Sequence, residues 1–253
     1  MLRVSGLRRT FGGLTAVDVD ELQIKRNTIT ALIGPNGAGK TTMFNLLTGF
    51  DKPDGGAWWF DGQDMSGLSA YRVARLGMVR TFQLTKSLAR LTVLENMLLG
   101  APGQQGERLL PALFHTWRGQ ERANTGRARA LLERFKLADK QRDLAGTLSG
   151  GQRKLLEMAR ALMVDPKLIM LDEPMAGVNP ALVQSLLEHI KELRAEGRTV
   201  VFVEHDMDVV MNISDWVVCM AEGHVIAEDV PARIIANEAV IEAYLGLRHG
   251  DAS

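Results

Sequence analysis

The sequence predicts an α/β fold in which a parallel sheet is combined with an antiparallel β layer and an inserted helical subdomain. The compact apolar runs Leu168–Leu171 and Thr199–Val203 indicate the parallel sheet, because the helical segment Pro180–Glu196 separates them. Short β-like runs among the first sixty residues indicate the antiparallel layer. A long helical pattern between about residues 68 and 163 indicates the subdomain.

The antiparallel layer is predicted from β-like runs that are bounded by turn signals. Leu2–Leu7, Ala16–Ile24 and Gly56–Phe60 have this character, and the glycine pairs Gly12-Gly13 and Gly55-Gly56 punctuate them. The amino-terminal part of the chain is therefore expected to form an edge layer.

A strand, a glycine-rich loop and a helix follow one another between Thr28–Ile33 and Thr41–Leu47. The loop matches the pattern Gly-x4-Gly-Lys-Ser/Thr, whose glycines let successive N–H groups point at phosphate oxygens. The helix adds its positive end, the lysine adds a charge, and the threonine offers a hydroxyl to Mg²⁺. The residues assigned to this phosphate site are Gly34, Pro35, Asn36, Gly37, Ala38, Gly39, Lys40 and Thr41.

The region from Leu68 to about Met163 is mostly helical in pattern, with charged residues dense between Gly106 and Asp143. Apolar residues at helical spacing, such as Leu131, Leu132 and Phe135, predict an inserted helical subdomain.

Near the carboxyl terminus, Trp216–Met220 and His224–Ala227 predict two short strands that turn at Glu222-Gly223, and further helices are expected around residues 234 and 241.

Composition excludes several classes of protein. The chain has 253 residues, of which 46% are hydrophobic and 24% charged, so it can bury a substantial core. Thirty basic and thirty acidic residues give no global electrostatic basis for binding nucleic acid. The single cysteine, Cys219, cannot form an internal disulfide, which fits a reducing compartment. With no apolar run near the roughly 20 residues of a membrane span and no visible signal peptide, the cytoplasm is the expected location.

Two acids, Asp172 and Glu173, follow the apolar strand Leu168–Leu171. In a doubly wound sheet the carboxyl ends of strands line the ligand crevice, so Asp172 can reach a Mg²⁺ shell and Glu173 a water that attacks a γ-phosphate. The alternative is that both acids only cap the turn at Pro174.

A second glycine-containing segment, Leu148–Gln152, precedes an amphipathic helix. Ser149 has the character of an N-cap, and glycines at a helix start leave N–H groups open to an anion. The segment therefore predicts a second phosphate-binding surface, formed by Ser149, Gly150, Gly151 and Gln152. A plain N-cap without a ligand is the alternative.

In order and approximate spacing, these three motifs resemble those of ATP-binding cassette (ABC) proteins. Gly34–Thr41 resembles Walker A, Leu148–Gln152 matches the LSGGQ signature letter for letter, and Leu168–Glu173 resembles Walker B with the catalytic glutamate. The resemblance covers nearly the whole chain, and P-loop proteins of other classes lack the signature. It implies a P-loop NTPase fold with a RecA-like core, in one domain of residues 1–253. The core would be residues 1–83 and 164–253, and the helical subdomain about 84–163.

The resemblance also implies roles for four further residues. Gln83 is similar to the Q-loop glutamine that senses Mg²⁺ and the attacking water, and His205 to the switch histidine that contacts the γ-phosphate. Phe11 resembles the aromatic residue that stacks on adenine. Thr42, which follows the Walker A motif, is assigned to nucleotide binding together with it. Without the resemblance, the alternatives are a solvated turn residue for Gln83, a structural histidine for His205 and a core phenylalanine for Phe11.

Four segments narrow the resemblance to the larger ATP-binding subunit of branched-chain (hydrophobic) amino acid importers: Phe11–Val17, Glu173–Pro180, Val203–Met207 and Ala243–Gly246. Asn179 is a departure, because many cassettes carry aspartate there, and it puts contacts of that loop with a partner subunit in doubt.

This resemblance implies an ATPase that couples hydrolysis of ATP, with Mg²⁺, to amino acid uptake. The expected partners are a second ATP-binding subunit of different sequence, two transmembrane permease subunits and, indirectly, a solute-binding protein. The chain would then lie at the cytoplasmic face of the inner or plasma membrane, held there by the permeases. The alternatives are a urea or amide importer, a lipid-related exporter, a soluble cassette ATPase acting on ribosomes or DNA, and a P-loop kinase or GTPase outside the cassette family.

Overall fold

The computed structural model describes residues 1–81, 88–102 and 117–245. They form two compact units. The first unit holds Met1–Arg80, Lys167–Pro174 and the described residues from Leu187 onward. The second holds the described residues between Thr81 and Pro166 together with Met175–Leu186.

The strands and helices of the described residues are, in chain order, β1 (Leu2–Phe11), β2 (Leu14–Ile24), β3 (Ile29–Ile33), α1 (Lys40–Leu47), β4 (Gly55–Phe60), β5 (Gln63–Asp64), α2 (Ala70–Arg75), β6 (Met78–Arg80), α3 (Val93–Leu99), α4 (Trp117–Arg134), α5 (Gly150–Ala161), β7 (Leu168–Asp172), α6 (Pro180–Ala195), β8 (Thr199–Val203), α7 (Met207–Ile213), β9 (Trp216–Ala221), β10 (His224–Asp229), α8 (Pro231–Ile234) and α9 (Glu238–Leu245). Short 3₁₀ turns lie at Leu88–Arg90, Ala138–Lys140, Ala145–Thr147 and Leu162–Val164.

The first unit contains the antiparallel layer predicted from the sequence. Its sheet has the strand order β2-β1-β4-β5, with β1 hydrogen-bonded to both β2 and β4. Residues of β1 and β2 such as Val4, Leu7, Val17 and Val19 point into the core and are almost fully buried, while the residues between them are more exposed. Such alternation is expected for an antiparallel sheet that has one face packed on the core and the other exposed to solvent.

The same unit contains the predicted parallel sheet, in the order β10-β9-β3-β8-β7-β6. Strands β3 and β8 are buried at every position, because both faces of a central parallel strand are covered. Strand β10 pairs antiparallel with β9 through the predicted turn, where Glu222 and Gly223 both have positive φ. The parallel strands therefore end at a common edge, after Ile33, Asp172 and Val203.

Strand β6 corrects the sequence prediction, which treated residues 68 to 163 as mostly helical. Its residues, Met78–Arg80, pair parallel with Leu168–Met170 of β7. Three residues are too few to show a strand period, and the hydrogen-bonding partner lies far along the chain. The strand therefore forms because of tertiary pairing.

The core of the first unit lies between its two sheets and against α1. Its large, fully buried side chains include Phe44 of α1 and Trp58 of β4, packed in one cluster with Met170 and Val203 of the parallel sheet. No helix within the described ranges is long and apolar enough to span a membrane.

The second unit is helical, and two of its helices begin with the same local device. Thr92 precedes α3 and Ser149 precedes α5, and each forms a capping box with the residue three positions later. Helix α5 buries the stripe that contains Leu155, Met158 and Ala159.

Candidate functional site

The glycine-rich loop between β3 and α1 has a backbone that requires glycine. Gly34, Gly37 and Gly39 have φ values of 145°, 81° and 96°. A Cβ atom on Gly34 would lie 2.1 Å from the carbonyl oxygen of Met220, and one on Gly39 would lie 2.2 Å from that of Ala16. Because both obstacles are backbone atoms, the loop can approach β9 and β2 this closely only without side chains.

Helix α1 starts at Lys40 without a side-chain cap among the described residues, and no acid lies in its first turn. Gly39 occupies the N-cap position in the left-handed conformation. The first N–H groups of a helix have no intrahelical partner and carry the positive end of the helix dipole. This helix start is therefore suited to bind an anion.

A pocket of about 640 Å³ borders this helix start. Its volume lies in the range of small-molecule sites. The residues that line it are Leu14, Thr15, Ala16, Asn36, Gly37, Ala38, Gly39, Lys40, Thr41, Thr42, Glu173, His205 and Glu222. Six of the predicted phosphate-loop residues, together with Thr42, Glu173 and His205, are thus brought together, whereas Gly34, Pro35, Phe11 and Asp172 do not line the pocket.

Lys40 is buried, with 6% of its surface exposed. Its Nζ atom donates hydrogen bonds to the carbonyl oxygens of Gly34 at 2.7 Å and Pro35 at 2.8 Å. Burial lowers the pKa of Lys40, and the charges of Glu173 and Asp172 act in the opposite direction. The lysine charge is therefore held within the loop that it would share with a phosphate.

Glu173 and His205 form a direct pair at the edge of the pocket. Glu173 Oε1 lies 2.9 Å from His205 Nε2, and both side chains are a little under half exposed. Glu173 has a positive φ of 45°, and its N–H donates to the carbonyl of Val203. A non-glycine residue in this conformation is uncommon and is found where surrounding structure imposes it. The ends of β7 and β8 thus bring an acid and a histidine into contact.

Asp172 is held by an arginine, Arg80, that belongs to none of the sequence motifs. Arg80 donates to Asp172 Oδ2 at 2.5 Å and to Asn45 Oδ1 at 2.6 Å, and its side chain is only 8% exposed. The sequence contains a weak signal for a basic residue at this site, because residues 65 to 94 include arginines and a lysine but no acid. The contact of β6 with β7 places Arg80 beside Asp172.

The donor atoms near the pocket fit Mg²⁺. Thr41 lines the pocket with a hydroxyl group, and Asp172 has its carboxylate oriented by Arg80. Hard cations of this kind bind through one or two protein oxygens, with phosphate oxygens and waters as the other ligands. Over residues 1–81, 88–102 and 117–245 no group of three or more His, Cys, Asp or Glu side chains could hold a metal on its own. Thr41 and Asp172 carry oxygen atoms that could hold Mg²⁺ beside a bound nucleotide, and their role as ligands, like that of Gln83, stays a prediction.

The signature residues lie in the second unit, at the start of α5. Ser149 Oγ accepts the N–H of Gln152 at 3.3 Å, and Gln152 Oε1 accepts the N–H of Ser149 at 3.0 Å. Gly151 is buried against Leu182, whose Cδ2 would lie 2.2 Å from an added Cβ. The N-cap predicted at Ser149 is present, while Ser149 and Gly150 are exposed. Binding of phosphate by this segment stays a prediction.

Asn179, the departure from the family pattern, caps helix α6. Its Oδ1 atom accepts the N–H of Leu182 at 2.9 Å, which the neutral amide achieves as well as a carboxylate would. Contacts of this loop with another subunit stay a prediction.

Phe11, which is predicted to stack on adenine, does not line the pocket. Phe11 ends β1 with 46% of its surface exposed, and the Arg9 guanidinium lies 4.5 Å from its ring centroid. Leu14, which pairs with Phe11 across the hairpin, does line the pocket. Gln83 falls outside the described residues.

Two family models match the chain. One is described as "ABC transporter" and matches residues 17–176. The other is described as "Branched-chain amino acid ATP-binding cassette transporter" and matches residues 224–249.

Curated relatives match over almost their full length. A probable branched-chain amino acid transport ATP-binding protein, LivG, of Archaeoglobus fulgidus is 41% identical over 99% of this chain and 97% of its own. The high-affinity branched-chain amino acid transport ATP-binding protein BraF of Pseudomonas aeruginosa is 43% identical over 97% of this chain and 98% of its own.

Among solved structures, a nucleotide-free ATP-binding cassette from an ABC transporter superposes with a TM-score of 0.86 at 38% identity. The match covers 96% of this chain and 98% of that one. An ATP-binding cassette of an ABC transporter in its ADP conformation gives the same TM-score and identity, over 97% and 98% of the two chains.

Proposed function

The chain belongs to the ABC transporter family, and from that premise we propose that it is the ATP-hydrolysing subunit of an importer for branched-chain or other hydrophobic amino acids. The observation that carries the hydrolytic part of the proposal is the Glu173–His205 pair on the pocket that the phosphate loop lines. The similarity to branched-chain amino acid transport proteins supports the cargo. An acid at the end of one parallel strand and a histidine beyond the next are thereby placed beside a loop built for phosphates.

The phosphates of ATP would bind to the N–H groups of the loop and to Lys40. That lysine now donates to two loop carbonyls, so it can exchange these bonds for phosphate oxygens without leaving the loop. Mg²⁺, held through Thr41 and Asp172, would neutralise charge on the phosphates. The ring of Phe11, which is 46% exposed, would stack on adenine. Gln83 would join Thr41 and Asp172 at the Mg²⁺ and contact the attacking water.

Glu173 would polarise the attacking water, and His205 would hold the γ-phosphate. The present hydrogen bond between them keeps both side chains at the pocket edge. Because a general base must be within hydrogen-bond reach of the proton it takes, this role requires the attacking water to lie between Glu173 and the γ-phosphate.

The complete transporter would contain a second ATP-binding subunit of different sequence, two permease subunits and, indirectly, a solute-binding protein. Ser149, Gly150, Gly151 and Gln152 would bind the nucleotide held by the partner cassette. The chain would lie at the cytoplasmic face of the membrane through the permeases. Residues 1–253 would act as one domain with a nucleotide-binding core and a helical subdomain.

The test is Glu173→Gln, with Glu222→Gln as the matched control. Both glutamates line the pocket, but His205 is bonded to Glu173. In the membrane complex purified with the chain, we expect the E173Q variant to lose phosphate release and leucine uptake by at least about 100-fold, while the isolated chain still binds ATP. The E222Q complex should keep most of its activity.

Undiminished phosphate release by E173Q would contradict the role of the glutamate. A wild-type complex that hydrolyses ATP but takes up no leucine, isoleucine or valine would show that the cargo is wrong.

A further inference from the structure

Helix α9, near the carboxyl terminus, carries a tyrosine that contacts the phosphate loop. The N–H of Gly34 donates a hydrogen bond to the hydroxyl oxygen of Tyr244 at 2.9 Å. The two residues are 210 positions apart in the chain, and both belong to the first unit. Tyr244 does not line the pocket, so its contact is with the loop itself.

Gly34 has no side chain, so only hydrogen bonds to its own N–H and carbonyl groups can hold it in place. The pairing of β3 with β9 ends one residue earlier, at Ile33 and Cys219. A side chain at position 34 would collide with the carbonyl of Met220. Tyr244 accepts the N–H of Gly34 and Lys40 donates to its carbonyl, so these two bonds fix the peptide groups on both sides of the residue.

The Tyr244 hydroxyl is suited to this role. It is half-buried, and desolvation by burial raises its pKa, which keeps the hydroxyl neutral at physiological pH. A hydroxyl has two acceptor lone pairs, and a partly buried N–H without such an acceptor would lose its hydrogen bond.

We propose that Tyr244 is a positioning residue for nucleotide binding, which sets the conformation of the phosphate loop through the N–H of Gly34. The inference rests on the proposed function, because it assigns Tyr244 a role at the same nucleotide site. It also gives a purpose to the carboxyl-terminal segment that the second family model matches, since residues 224–249 include the helix that carries this hydroxyl.

The test compares Tyr244→Phe with Tyr71→Phe, because the sequence contains two tyrosines. Tyr71 is 66% exposed and its hydroxyl accepts a hydrogen bond from Arg75, so Y71F removes an equivalent hydroxyl from the surface. We expect the isolated Y244F chain to bind a fluorescent ATP analogue about tenfold more weakly than wild type, and Y71F to bind it equally well. Amide exchange at Gly34 should be faster in Y244F, with Leu32 and Ile33 unchanged.

An affinity of Y244F for the ATP analogue within twofold of the wild-type value would overturn the proposal. So would faster exchange along all of β3, because Tyr244 would then be a general packing residue. If neither wild type nor Y71F binds the nucleotide, it is the proposed function that fails.

A second measurement leaves the chain unmutated at position 244. Labelling with 3-fluorotyrosine gives one fluorine NMR signal for each tyrosine, and the Y71F variant identifies them. Titration with ADP should shift the Tyr244 signal in step with binding and leave the Tyr71 signal in place. A Tyr244 signal that does not respond to saturating ADP would also overturn the inference.

Discussion

The starts of helices α1 and α5 differ in the way their first N–H groups are satisfied. Helix α1 follows a glycine-rich loop, helix α5 begins with Gly150 and Gly151, and both helix starts are predicted phosphate sites. Helix α1 has Gly39 at its N-cap and no side-chain cap among the described residues. Helix α5 has a complete capping box between Ser149 and Gln152.

The difference separates a helix start without a side-chain cap in the described part of the chain from one whose capping box already satisfies two N–H groups, those of Ser149 and Gln152. An uncapped helix start keeps its N–H groups for a ligand, at the cost of the stability that a cap supplies. The start of α1 also borders a pocket and has Lys40 beside it. The start of α5 satisfies part of its own hydrogen bonding, so a phosphate there would add to or replace bonds that already exist. We therefore expect the isolated chain to bind nucleotide at α1 first.

The largest effect should come from Gly39→Ala, with Gly37→Ala as its control. Both residues have positive φ, but an added Cβ on Gly37 meets nothing within 4 Å, whereas one on Gly39 meets the backbone of Ala16. The left-handed conformation alone costs an alanine about 1–2 kcal/mol. We expect G37A to lose about that much unfolding free energy, and G39A about 3–5 kcal/mol, because β2 or the loop must also move.

The measurement is urea unfolding of the nucleotide-free chain, which keeps any contact of the new methyl groups with ligand out of the comparison. Equal losses in G37A and G39A would mean that the approach of the loop to Ala16 is unimportant for stability.

The next effect is that of Ser149→Ala, and Thr92→Ala provides a matched control in the same unit. Each serves as the N-cap of a capping box, at α5 and α3 respectively. Loss of either cap should cost about 1 kcal/mol of unfolding free energy. In the membrane complex, we expect only S149A to lower ATP turnover, by about tenfold, because its hydroxyl would also bind phosphate.

If S149A and T92A lower stability equally and neither lowers turnover, Ser149 is a plain N-cap. That outcome would select the alternative left open by the sequence and would remove the second phosphate site from the proposed mechanism.

Local patterns in the sequence predicted most of the fold and the phosphate loop, because their information lies within a few residues. The strand–loop–helix unit around Gly34–Thr41 and the cap at Ser149 are examples. Features created by contacts distant in sequence could not be found this way. Strand β6 forms on β7, Arg80 meets Asp172, and Tyr244 meets Gly34, all through tertiary structure.

The smallest effect is a pH dependence that distinguishes the two capping boxes. The box at α3 uses Glu95, whereas that at α5 uses the neutral Gln152. Hydrogen bonds from the Thr92 N–H, and then from its hydroxyl, hold the pKa of Glu95 below its ordinary value of 4.5. Because the folded pKa is the lower one, this stabilisation is fully present above pH 4.5 and is lost as the pH falls through the folded value.

Below pH 4.5 the wild-type chain should therefore lose stability that Glu95→Gln does not lose, as urea unfolding at a series of pH values can measure. Gln152→Glu should add a similar acid-side loss at α5. At neutral pH the Q152E variant should fold normally, since a carboxylate suits a helix start, yet turn over ATP more slowly because that charge repels a phosphate. Unchanged turnover in Q152E would indicate that no phosphate approaches α5, and the two helix starts would then differ in function as well as in capping.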